Sequence, residues 1–322
     1  MKIFAYQHGL YPRSEAVVAA TRGLDRGRTD QAEVDAAFRH DLARWVEVQR
    51  AAGLDFYSDG LLRWQDIFRP LVEAIGPKPH TLVRWFDTNT FFREPEFANF
   101  PSGDSNSPSP SGGWQGGGET SVPRPRVSTF PSPYMFSRAA RTNLDRNRLM
   151  VELAESVLRP AIDAAVREGS ELIHLEEPWL GYTGISRQDW APLRDALEAL
   201  HRNVGATLAL HVYFGDAAPH LEQLRALPID AIGVDLIETD VTALGRGWDK
   251  GLVAGVINGR QSLVESTNSI VEVAGHLADS VRPTALYLTS NSELSFLPTS
   301  VAEHKVQRLG EAASKVKQLV SV

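Results

Sequence analysis

Short β-type runs alternate with amphipathic helical runs along the whole chain, and this alternation limits the fold more than any other feature. Strands are expected at Ile3–His8, Leu54–Ser58, Arg126–Phe130, Leu172–Leu175, Thr207–Tyr213, Ala231–Leu236, Leu252–Ile257 and Ala285–Thr289. Between them, apolar spacing predicts helices over Gln31–Ala52, Asn143–Glu168, Arg187–Val204, Ala217–Ala226, Asp240–Gly247, Ser262–Val281 and Thr299–Val320. Thr29 or Asp30 is placed to cap the first of these, and Gly53 to stop it. Pro160 should kink or split the helix it falls in. Alternating β and α elements imply a parallel sheet. Eight such units in 322 residues favour an α/β chain closed into a (β/α)8 TIM barrel, read as one barrel over residues 1–322.

Two stretches break the rhythm. Leu82–Phe92 is extended and rich in aromatics. In residues 101–118, 14 of 18 positions are Gly, Ser or Pro, which reads as a flexible insertion.

The formal charge of -7 disfavours nucleic acid and anionic membrane surfaces as partners. No run is long and apolar enough for a membrane helix, and the start MKIFAYQHGLYPRSE turns polar too early for a signal peptide, so a cytoplasmic location is expected. The chain holds no cysteine, which excludes disulfides, thiolate nucleophiles and thiolate metal ligands.

Barrel enzymes carry their chemistry at the C-terminal ends of the strands. Here those ends are polar: His8, Tyr11 and Arg13; Ser58, Asp59, Arg63 and Asp66; His174, Glu176 and Glu177; His211, Tyr213 and Asp216; Asp235 and Glu238; Asn258 and Arg260; Asn291, Ser292 and Glu293. Asp87 and Asn89 follow the aromatic stretch. His174 and Glu176 lie two apart and so share a strand face, as an acid–base pair or as a buried pair that only fixes a loop.

Several strings resemble the cobalamin-independent methionine synthase family. They are Gly9-Leu10-Tyr11-Pro12-Arg13, the run Gln49–Asp59, Trp85-Phe86-Asp87-Thr88-Asn89 with Pro95-Glu96-Phe97, and His174-Leu175-Glu176-Glu177-Pro178. His211-Val212-Tyr213, Glu238 and the run Thr289–Leu294 complete the series in family order. The resemblance implies a barrel of the methionine synthase and uroporphyrinogen decarboxylase type. It also implies methyl transfer from a methyl-tetrahydrofolate, or another methyl carrier, to homocysteine on a zinc ion held by His, Cys, Glu and Cys. Tyr213 and Ser292 stand at the two cysteine positions, so only His211 and Glu238 remain of that metal set, with His8, His174 or Glu176 as recruits to a rebuilt one.

On this reading His211, Glu176, His174 and Asp59 are the candidate catalytic residues. Tyr11, Arg13, Arg63, Trp85, Asp87, Asn89, Glu177 and Ser292 are the candidate substrate contacts, with Trp85 best placed to stack on a pterin. Two other readings stay open. The barrel binds folate or a methyl carrier beside a separate zinc-bearing barrel of the same family, or it runs a lyase or decarboxylase reaction on the same scaffold.

Overall fold

The computed structural model describes residues 1–76, 79–101 and 122–320. Of the expected insertion over 101–118, only Pro101 falls among them; the rest lies outside the described residues.

Among the described residues ten strands are found: β1 (Lys2–Ala5), β2 (Pro79–Arg84), β3 (Phe91–Phe97), β4 (Arg126–Pro131), β5 (Arg141–Thr142), β6 (Ser170–Glu177), β7 (Thr207–Val212), β8 (Ala231–Asp235), β9 (Gly251–Ile257) and β10 (Ala285–Ser290). Seven of these form one parallel sheet in the order β1-β10-β9-β8-β7-β6-β4. The expected second strand closes the gap between its edges with almost no regular ladder. The Asp55 amide donates to the Ala5 carbonyl at 2.8 Å, while the Tyr57 amide donates to Pro125 at 3.0 Å and the Val127 amide to Tyr57 at 3.0 Å. Side chains finish the seam. Asp55 Oδ2 accepts from the Ala5 amide at 2.7 Å, and Gln49 takes the Ser58 amide at 2.8 Å and donates to its carbonyl at 3.0 Å.

The interior shows the closure directly. Tyr6, Phe56, Val127, Leu172, Ala209, Ala231, Val253 and Tyr287 form one buried cluster, a residue from each of the eight staves. A larger apolar core joins the outer face of the sheet to its helices. β9 is consequently a continuous apolar run, and β6 is buried at every position but Glu171, with His174, Glu176 and Glu177 included.

The helix Gln31–Ala52 starts and stops as its sequence predicts, with Asp30 accepting from the Glu33 amide and Gly53 at φ 68°. The expected helix around Pro160 is split into Arg146–Leu153 and Arg159–Arg167 by a π turn at Ala154–Leu158. That turn absorbs the hydrogen bond proline cannot donate. Over 240–247 the expected helix is only a 3-10 turn, Val241–Leu244, because Gly245 and Gly247 take positive φ. The aromatic stretch is the tip of an antiparallel hairpin, the end of β2, the turn and the start of β3, outside the barrel wall.

Candidate active site

Strand parity builds the site. Two residues beyond the apolar interior layer, toward the C-terminal ends, the same faces carry His8, Thr129, His174, His211 and Thr289. The facing strands β8 and β9 carry Gly233 and Gly255 at that level. A Cβ on Gly233 would come within 2.6 Å of the His211 ring, so the glycine makes the room that the imidazole fills. His8, His174 and His211 are fully buried, and their ligand nitrogens lie within 4.8 Å of one another. The rings of His8 and His174 stack at 3.9 Å between centroids, and His211 stands edge-on to both at 5.2 Å.

Polar groups around the three rings fix their orientation. The Tyr6 hydroxyl and His174 Nδ1 hydrogen-bond at 2.7 Å, and His8 Nδ1 meets Glu176 Oε1 at 2.9 Å. Tyr213 donates to the other oxygen of Glu176 at 3.1 Å. His8 Nε2 faces the Ser290 carbonyl at 3.2 Å. His174 Nε2 has no hydrogen-bond partner among the described residues, and His211 meets no more than the backbone of Val234. Burial, reinforced by His8, holds His174 and His211 well below the usual imidazole range, so both are neutral near pH 7.

Glu293 flanks this group. Gly9, at φ 70°, passes between the two acids: a Cβ there would collide with Glu176 Oε1 and lie 2.8 Å from Glu293 Cβ. Burial, and then the charge of Glu176, push the Glu293 carboxyl well above the carboxylate range. Glu293 also lines a cavity of about 820 Å³ with Tyr11, Arg13, Asp66 and Trp85. Burial raises Asp235 to about 6. Its oxygens take Asn291 at 3.0 and 3.1 Å and the Phe214 amide at 3.2 Å, which ties three strand ends together.

The hairpin tip covers this end of the barrel. Phe86 packs on Trp179, Tyr182 and Phe214, at 4.6, 5.0 and 5.5 Å between centroids. Asp87 pairs with Arg260. Asp66 accepts the Arg93 amide at 3.2 Å, which anchors β3.

The structure therefore gathers His174, Glu176 and His211 into one group and puts Tyr11, Arg13 and Trp85 on the cavity wall. It places the remaining expected residues elsewhere. Glu238 is exposed on the turn after β8, outside the group whose ligand atoms surround His211. Arg63 is engaged by Asp35 at 2.9 Å and lies over the Phe38 ring, on the helix side of the wall. Asp59 caps its own turn by accepting the Leu61 amide at 2.9 Å. Glu177 spends both oxygens on two helix starts, taking the Met135 amide at 3.0 Å and the Leu180 amide at 2.8 Å as well as the Ser132 hydroxyl. Ser292 is buried against Asn291, and Asn89 is exposed in the hairpin turn, where it accepts from Arg84 at 3.2 Å.

Tyr6 is not among the candidates, while His8, Tyr213, Glu293 and Arg260 are read from the sequence only as polar strand ends, His8 also as a recruit to a rebuilt metal set. Parity carried a signal for the first two, since Tyr6 and His8 alternate in phase with each other. Nothing in the sequence announces that Arg260 reaches Asp87.

Comparison with known proteins agrees with this architecture. Residues 76–282 match the family model described as the N-terminal domain of cobalamin-independent synthase. The chain belongs to that family. A 5-methyltetrahydropteroyltriglutamate–homocysteine methyltransferase of Neisseria gonorrhoeae is 26% identical over 222 residues, which are 67% of this chain and 28% of that protein. A methionine synthase of Sulfolobus acidocaldarius is 24% identical over 307 residues, 92% of this chain and 87% of its own length. Among solved structures, a B12-independent methionine synthase from Shewanella sp. W3-18-1 superposes with a TM-score of 0.71 at 16% identity, covering 100% of this chain and 99% of its own. One from Listeria monocytogenes gives 0.69 at 15%, with 98% of each chain covered. These superpositions show the shared TIM-barrel fold. Among the described residues no helix is long and apolar enough to cross a membrane.

The family's zinc set does not fit this chain. On the sequence resemblance its positions would be His211, Tyr213, Glu238 and Ser292, where a phenol and a hydroxyl stand in place of two thiolates and the carboxylate is exposed.

Proposed function

We propose that this chain is a methionine-synthase-like methyltransferase, which moves a methyl group from a methyl-tetrahydrofolate to the thiol of homocysteine. The observation that carries the reading is the buried group itself. Glu293, whose carboxyl keeps its proton, lines a cavity of about 820 Å³, and across Gly9 from it stands Glu176, which holds the buried imidazole group. Family membership and the curated relatives support it.

The cavity receives the donor, with Trp85 as an aromatic wall and Tyr11 and Arg13 beside it. Glu293 delivers a proton to the pterin nitrogen, which becomes a better leaving group. His211, a neutral imidazole, is the acceptor for the thiol proton. The S–CH3 bond forms as the N–CH3 bond breaks. Both substrates must be held in line, and the hairpin tip over the strand ends excludes water while they are.

The test mixes the purified chain with methyl-tetrahydrofolate and homocysteine and quantifies methionine. Methionine above the no-enzyme control, abolished by His211→Ala, is the expected result. No methionine, with or without added zinc, overturns the reading for the chain alone and directs the search to a partner barrel.

A further inference from the structure

We infer that His8, His174 and His211 form a divalent metal site of three nitrogen ligands, zinc by ligand type, in which His8 and His174 join His211 in place of the family's other zinc positions. The three imidazoles are fully buried and converge from β6, β7 and the end of the first stave, with ligand atoms within 4.8 Å of one another. Buried polar atoms are nearly always hydrogen-bonded. Here His174 Nε2 is not, nor is at least one nitrogen of His211, and both belong to the same cluster.

The surroundings are those of ligands. A metal-binding histidine typically presents one nitrogen to the ion while the other is held by a carboxylate or similar group. His8 has Nδ1 on Glu176 at 2.9 Å, and His174 has Nδ1 on Tyr6 at 2.7 Å, which leaves Nε2 of each as the ligand atom, free in His174. His8 Nε2 faces the Ser290 carbonyl at 3.2 Å, a contact that the ion would replace. His211 offers either nitrogen. Imidazole nitrogens suit zinc, and three protein ligands leave a further position open, as catalytic zinc sites do. No cysteine is needed, which removes the conflict between the zinc chemistry of the family and this thiol-free chain.

The inference stands on geometry and does not require methyl transfer. The full chain is dialysed against zinc or cobalt(II), freed of unbound ion and analysed for metal. Retention of about one equivalent is expected, with the visible absorption of four- or five-coordinate cobalt(II). His174→Gln and His211→Asn should each lose the ion, and Tyr6→Phe, which touches only the orienting hydroxyl, should weaken it about tenfold. No retained metal, or metal undiminished in His174→Gln, overturns the inference. Should those variants fail to fold, the wild-type spectrum decides, because a weak six-coordinate cobalt spectrum also overturns it. Metal bound without methyl transfer would leave the site standing and remove the function proposed above; methyl transfer without metal would do the reverse.

Discussion

Asp87 and Arg260 lie 173 positions apart and meet at 2.7 Å over the strand ends. The same guanidinium covers the Phe214 ring at 4.8 Å, so one side chain joins the hairpin tip, the loop after β7 and the loop after β9. The pairing also holds the Asp87 carboxyl below its ordinary range.

Exposed ion pairs contribute about 0–1 kcal/mol. Arg260→Ala should therefore leave the melting temperature nearly unchanged, while hydrogen exchange of the amides in Trp85–Thr90 accelerates and KM for the bulkier substrate rises. Unchanged exchange in that loop would show that the aromatic contacts of Phe86 alone hold the tip down.

Gly9→Ala should be far more damaging. The backbone at φ 70° costs about 1–3 kcal/mol for a side chain that dislikes it, and the new methyl collides with Glu176 and Glu293. Loss of activity with a lower melting temperature is expected. A variant as stable and active as the parent would mean that the two acids are free to move apart.

Gln49 stands in for a missing strand neighbour at the closing seam. Gln49→Leu keeps the volume but strands the Ser58 amide and carbonyl, each a penalty of about 1–3 kcal/mol. Chemical denaturation should show a loss of about 2–4 kcal/mol. A loss under about 0.5 kcal/mol would show that other groups take over both bonds.

Glu177 gives the fold a pH signature. Burial raises its carboxyl to about 7, so the folded state keeps a proton that the unfolded state releases at lower pH. This contribution to stability is complete below the usual carboxylate range and is lost as pH rises toward 7. Each tenfold difference in proton affinity between the folded and unfolded chain is worth ~1.4 kcal/mol, which makes the loss on the order of 3 kcal/mol. Glu177→Gln should flatten the stability profile in that window, and an unaltered slope would assign the effect to other acids.

The staves were legible in the sequence because each is a short apolar run between helical periods, and parity alone put His174 and Glu176 on one face. Arg63 misled because its place after a strand says nothing of the helix behind it, where Asp35 captures the guanidinium. Glu238 misled for a related reason: β8 ends at Asp235, and the turn that follows carries the glutamate outward. The sequence offers His8 and His174 as recruits to His211, but the three come from distant staves, and only the closed barrel gives them a common level. The hairpin read as merely extended, since its partner strand at Pro79–Arg84 has little apolar alternation of its own.

The buried group is built from imidazole, phenol and carboxylate, with no thiol anywhere in the chain to reach it. Peroxide converts exposed thiolates stepwise to sulfenic and sulfinic acids, and so disarms sites that depend on them. These three histidines offer no such target. Whatever chemistry they perform should persist through oxidative conditions that silence a thiolate-lined relative.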